Sequence, residues 1–186
     1  MTLSEGKRRV LMLLDEYSSG GTITVDEDID AKMNDFFDIA QKDIAQWQPI
    51  IRRTEVTLDG TGEQALPADV SRVLRITRDG RRARDVRVSD GKLRYPAGDT
   101  DTLTLDYAAV PETITPQTED AHAFEVSEEA ASCLPFFVAA QQLIADLVVD
   151  YAAFYNIYLQ MRGMLPRGGG AFDGGAGGVR QALYGR

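Results

Sequence analysis

Histidine, cysteine and converging carboxylates carry most protein chemistry, and this chain of 186 residues has one histidine, His122, and one cysteine, Cys133. His122 stands in a polar stretch and is expected to be exposed. Cys133 precedes an apolar run, which predicts an inert buried thiol rather than a nucleophile. A single cysteine excludes an internal disulfide framework and any multi-cysteine metal site. Asp26, Asp28 and Asp30 match the first three ligand positions of a calcium loop, but Ala31 replaces the needed glycine and Phe37 the bidentate glutamate. These acids are better suited to the positive end of a helix. Asp99 with Asp101, and Glu128 with Glu129, are carboxylate pairs, yet nothing in their spacing fixes a separation or raises a pKa. The glycine runs near the C-terminus neither follow a strand nor open a helix, so they do not fit a phosphate cradle. The chain is therefore expected to be no enzyme, with no cofactor and no metal.

Charge is the stronger signal. The formal charge is −9, which argues against general adhesion to nucleic acid or anionic membrane. Between Arg72 and Arg94 the sequence nevertheless holds nine basic residues against Asp79, Asp85 and Asp90, about +6 locally. From Tyr95 to Met161 there is no Lys or Arg, while eleven acidic residues occur. A basic sheet and an acidic helical body suit head-to-tail docking between copies, or two different partners. Solvated arginines that keep strand edges apart are the plainer explanation of the same pattern. No run of about 18 uncharged apolar residues is present, so no membrane span is expected. The N-terminus carries no signal-peptide core, and the chain reads as cytosolic when made.

The elements that position these residues follow from periodicity. Thr2 and Glu5 have capping-box spacing, with Ser4 as an alternative cap, and open a helix with Val10, Leu11, Leu14 and Tyr17 on one face. Thr24 and Glu27 repeat the signal before Ile29, Met33, Phe36, Phe37, Ala40, Ile44 and Trp47, and Gln48-Pro49 ends that helix. From Thr54 the period changes to two. Four or five short strands are expected, with hairpin turns at Asp79-Gly80 and Asp90-Gly91 and the cleanest strand at Leu103, Leu105 and Tyr107. Ser127-Glu128-Glu129 starts a short helix. Pro135 then opens one long helix to Met164, about 40 Å at 1.5 Å per residue. Its stripe runs Phe137, Ala140, Ile144, Leu147, Tyr151, Phe154, Tyr158 and Met161, and Tyr155 and Leu159 widen it toward a subunit contact. The class is α+β: a helical bundle with a long C-terminal helix and an inserted small antiparallel sheet. The divisions are 1–50, N-terminal helices; 51–110, β insert; 111–165, loop and long helix; and 166–186, a flexible tail.

That tail has eight glycines among its last twenty residues, so ordering it costs more entropy than its surface returns. It ends in Val179-Arg180-Gln181-Ala182-Leu183-Tyr184, a small apolar tip on a tether.

The order of parts resembles the head–tail adaptor (connector) family of tailed bacteriophages, including the tubular adaptor of short-tailed phages. The resemblance rests on two helices ending in Trp47-Gln48-Pro49, a β insert with Leu66-Pro67-Ala68-Asp69-Val70, a strand ending near Tyr107, Val110-Pro111-Glu112, and Cys133-Leu134-Pro135 before the last helix. It spans about residues 1–165. It implies a structural virion protein at the head–tail junction, forming a homo-oligomeric, typically dodecameric ring beneath the portal protein. Such a ring continues the DNA channel without sequence-specific binding and meets the next tail or nozzle protein. The family's C-terminal segment often reaches the portal, which assigns Val179, Arg180, Leu183 and Tyr184 to portal binding. Subunit contacts are expected at Arg81, Arg82, Arg84, Arg87, Tyr155 and Leu159. The alternative is a nucleic-acid-binding module using the arginine-rich hairpins, 72–94.

Overall fold

Two amphipathic helices open the chain. The structure, a computed structural model, describes residues 1–17, 27–145 and 151–167. Helix α1 spans Leu3–Tyr17 and starts in the expected capping box: the Thr2 amide donates to Glu5 Oε2 at 2.9 Å and the Glu5 amide to Thr2 Oγ1 at 3.3 Å. Helix α2 spans Glu27–Trp47; its expected cap, Thr24, lies outside the described residues. Met33, Phe37, Ala40 and Ile44 are buried on one side of α2, beside Leu3 and Val10 of α1. The spacing of three and four along α2 puts these side chains on one stripe. Lys7, almost fully buried, joins the helices to the later loop through Asp30 at 2.7 Å and Asp120 at 2.9 Å.

The β insert forms seven strands rather than four or five: β1 (Ile50–Thr57), β2 (Glu63–Ala65), β3 (Val70–Arg78), β4 (Arg81–Arg82), β5 (Arg87–Ser89), β6 (Lys92–Arg94) and β7 (Thr102–Ala109). They make two antiparallel sheets, ordered β1-β7-β3-β4 and β2-β6-β5. Asp79-Gly80 and Asp90-Gly91 turn two hairpins with positive φ at both residues (48° and 76°, 53° and 70°), the backbone a two-residue hairpin demands. Leu103, Leu105, Tyr107 and Ala109 of β7 share one face, and all are buried with Leu58, Val86, Leu93 and Tyr95. The four-stranded sheet therefore covers the three-stranded one and leaves its other face outward.

After β7 come α3 (Glu128–Ala131), α4 (Leu134–Ala145) and α5 (Tyr151–Met164). Ser127 caps α3 through the Ala130 amide. The expected single helix over 135–164 is corrected. Within one helix Phe137 and Tyr158 would lie about 30 Å apart, yet their ring centroids are 5.2 Å apart. The chain therefore reverses between α4 and α5, and the two pack side by side. Length supplies the reason. The helices that pack on α4, α1 and α2, have 15 and 21 residues and reach about 22 and 32 Å, short of the roughly 45 Å of one helix over 135–164. Folding back lets Phe137, Phe154, Tyr158 and Leu165 bury one another's apolar area. The stripe is broken accordingly: Ile144 and Tyr151, expected on it, are exposed.

The molecule is thus a mixed α+β fold with several helices and two small antiparallel sheets. Ile50 packs against both the helical core and the β core. Beside it Arg52 donates to Asp69 and to Glu125, each at 2.6 Å, and the Tyr107 hydroxyl donates to Asp69 at 3.1 Å. These bonds tie the sheet to the loop that precedes α3.

Candidate functional site

The helix α5 is the most unusual surface. Its sequence, YAAFYNIYLQMRGM, has one charged residue, Arg162. Only Phe154 and Tyr158 of α5 are buried. Tyr151, Tyr155 and Leu159, spaced by four, are exposed along one flank, and Ile157 and Met164 along another, with Met164 82% exposed. A helix exposed on most sides normally carries charge there. Tyr155 still touches the core at one edge, 6.4 Å from the Phe137 ring and 6.2 Å from that of Tyr158. The two α5 residues singled out from the sequence, Tyr155 and Leu159, therefore share an open apolar flank.

A half-buried polar clasp fixes α5 to α2. Tyr158 and Arg162 both donate to the Asp43 carboxylate. The Arg162 guanidinium lies 5.2 Å from the Trp47 ring centroid, and Arg167 lies 4.3 Å from it, a cation–π arrangement. Burial pushes the Tyr158 phenol well above its ordinary pKa, and the neighbouring Asp43 charge adds to the shift. Burial also opposes the charge of Arg162, but Asp43 more than offsets it. Sequence reasoning missed this clasp. Asp43 and Arg162 stand 119 residues apart, and no local pattern links them.

The four arginines expected at a subunit contact are all exposed, and none makes an ion pair among the described residues. They do not form one patch. Arg82 pairs in register with Thr77, itself in register with Thr104 of β7, and so lies on the outward face of the four-stranded sheet. Arg81 pairs with Arg78, one position along and on the other face. Arg87 is opposite Arg94 on β6, one residue from the buried Leu93 and hence on the outer side of the three-stranded sheet. Arg84 stands between β4 and β5. Like charges at Arg87 and Arg94 repel, and Arg94 is held by Asp90 at 3.4 Å.

The outward face of the four-stranded sheet gathers other arginines. Arg53 and Arg75 flank Asp106 in register; Arg53 grips it at 2.6 Å. Arg72 lies in register with Ala108, whose other neighbour is the exposed Ile51. In a regular strand Arg72 and Arg75 would point to opposite faces. The irregularity between Val73 and Arg75 inserts an extra residue and brings both to the same side.

The remaining sequence candidates resolve into structural roles. Cys133 is buried, its pKa pushed up by that burial, and its thiol points at the Glu129 carbonyl oxygen, 3.6 Å away. His122 is half-buried rather than exposed, because its carbonyl oxygen accepts from the Leu3 amide and draws the loop onto α1. Asp30 is engaged by Lys7. Asp99 and Asp101, with Asp85, surround the guanidinium of Arg78. Glu128 and Glu129 are exposed in the first turn of α3, where carboxylates favour the positive helix end. Val179, Arg180, Leu183 and Tyr184 lie outside the described residues. No helix among those residues is long and apolar enough to cross a membrane.

Comparison with protein-family models and with curated proteins finds no match to this chain. The functional reading accordingly rests on its own surfaces.

Proposed function

We propose that the chain is a structural subunit that assembles with copies of itself into a ring, and that the ring is a head–tail adaptor of a tailed bacteriophage virion. The observation that carries this reading is α5: a helix with one charge in fourteen residues that leaves apolar side chains open on two flanks. Surfaces of that kind mark protein interaction sites. In the ring a neighbouring subunit covers Tyr151, Tyr155 and Leu159. The resemblance in the order of parts supplies the rest of the proposal: a dodecamer beneath the portal protein, the C-terminal tip at 179–184 seated on the portal, the next tail protein on the far side, and DNA passing through without sequence-specific binding. The role is contact, not catalysis.

Light scattering across a range of concentrations tests it, with negative-stain imaging of the assembled fraction. A closed oligomer is expected, and Tyr155→Asp with Leu159→Asp is expected to return it to monomer with the fold intact. A strict monomer at every concentration, with and without a portal ring, would overturn the proposal. The second reading, nucleic-acid binding by the hairpins, is favoured by the arginines of 72–87 that lack ion pairs. It requires salt-dependent DNA binding that Arg81→Ala, Arg82→Ala and Arg84→Ala together remove.

A further inference from the structure

The outward face of the four-stranded sheet exposes Ile51, Arg53, Glu55, Arg72 and Arg82 around a centre where Thr77, Asp106 and Ala108 are buried. Its central strand β7 presents Thr102, Thr104, Asp106 and Ala108 there, and no helix among the described residues packs along it. Arg72 and Arg82 are exposed at either end of the β3 side, in register with β7 positions four residues apart, or about 14 Å at 3.4 Å per residue. Arg75 lies between them. None of the three has an ion pair among the described residues, and neither do Arg81, Arg84 and Arg87, whereas Arg52, Arg53, Arg78, Lys92 and Arg94 each hold a carboxylate. The β-bulge that turns Arg72 and Arg75 to the same side adds to the concentration of charge.

The complementary surface is on the same chain. Glu112 and Glu125 meet through a bond from the Glu112 amide to the Glu125 carboxylate, and Glu128 and Glu129 follow on α3. Glu112, Glu128 and Glu129 are exposed and make no ion pair among the described residues. Arg52 holds the adjacent Glu125, and Lys42 reaches Thr113 beside Glu112, but neither pairs with Glu112, Glu128 or Glu129. The arginines stand on the sheet and the carboxylates on the loop after β7 and on α3, so one copy offers both.

We infer that the open sheet face of one copy docks on the acidic rim of a second copy, Glu112, Glu128 and Glu129, in a head-to-tail contact. This inference rests on the ring reading above and adds the orientation of neighbours. A contact between two different surfaces repeats around an axis, and closes into a ring when the rotation permits. Charge sets the direction of approach and rejects the mirror arrangement, because arginine face against arginine face is repelled. The occupant is a second copy rather than nucleic acid: a chain of net charge −9 repels a polyanion at long range, whereas the acidic rim supplies a local partner.

Charge exchange in the full-length protein tests the contact by light scattering and sedimentation velocity. Arg72→Glu with Arg82→Glu, and separately Glu128→Arg with Glu129→Arg, are each expected to weaken self-association at least tenfold. Thermal unfolding within a few degrees of the parent shows that the fold survives. A chain carrying all four changes is expected to assemble again, as is an equimolar mixture of the two double variants. If both double variants assemble like the parent while Tyr155→Asp with Leu159→Asp abolishes assembly, this contact is wrong and the ring reading stands. If the parent chain never assembles, both fail. Should Arg72→Glu with Arg82→Glu leave assembly intact but remove salt-dependent binding to a 30-base-pair duplex, the face belongs to nucleic acid, and the inference is overturned.

Discussion

The Phe137 and Tyr158 rings meet edge-on, with centroids 5.2 Å apart and planes at 63°. This contact closes the α4–α5 pair and sets which side of α5 remains open. Phe137→Ala removes its core half, at a cost of about 3–5 kcal/mol for a buried phenylalanine. Urea unfolding followed by circular dichroism is expected to show that loss as an earlier midpoint. An unchanged midpoint would mean the pair contributes nothing to stability.

The single tryptophan reports on α5 directly. Trp47 carries Arg162 and Arg167 against its ring, so Arg162→Ala is expected to red-shift its emission and raise acrylamide quenching. The secondary structure should be kept. Removing Arg162 also strips the Asp43 carboxylate of a charged partner, which destabilises by about 1–3 kcal/mol.

Gly6 sits where α1 crosses the core. A Cβ there would meet Phe37 Cζ at 2.9 Å and Phe124 Cε2 at 3.2 Å, and those two rings pack on each other with centroids 5.2 Å apart. Gly6→Ala gains about 1 kcal/mol of helix propensity but overpacks the core by about 1–3 kcal/mol. The net effect is expected to be a lower melting temperature. A higher one would show that the Phe37 ring moves freely.

Acid weakens the β insert through Asp59. The Thr61 hydroxyl, the Tyr95 hydroxyl at 2.5 Å and the Thr61 amide donate to this carboxylate and hold its pKa at about 2, below the ordinary 3.8. The folded state thus prefers the charged form. The stabilisation is complete above about pH 4 and is lost as the pH falls toward 2. Urea midpoints measured between pH 5 and pH 2 are expected to fall, and Asp59→Asn to flatten that part of the slope.

Lys7 gives the opposite sign. Burial works against its charge, but hydrogen bonds from its ammonium to Asp30 and Asp120 outweigh that, and its pKa is raised above 10.5. Its contribution is present below the ordinary lysine pKa and is lost as the pH rises through the higher folded value. Lys7→Met is expected to remove the alkaline decline in melting temperature above about pH 10.5. A variant that declines as the parent does would assign that decline to other groups.

Local features were legible in the sequence where local physics decides them. The Thr2–Glu5 capping box, the Asp79-Gly80 and Asp90-Gly91 turns and the Ser127 cap each depend on residues within one turn of chain. The stripes of α1 and α2 follow from period alone. Period fails between α4 and α5, because one helix and two folded helices place Phe137 and Tyr158 on the same apolar stripe. The arginine surface was hidden for a different reason. Counting by two from Arg72 puts Arg75 on the wrong face, and only the β-bulge before Arg75 corrects it. The Asp43 clasp depends on long-range packing that no window of sequence contains.

The joint at Ile50 has a mechanical consequence. Tension applied to the sheet along β1 is shared by all eight β1–β7 register pairs at once, a shear geometry in which no single backbone bond bears the load. The same pull reaches the helices where the chain crosses at Pro49-Ile50 and again at Val110-Pro111, and through the Arg52 pairs. A sheet loaded in shear is therefore expected to outlast the two chain crossings that tie it to the helices.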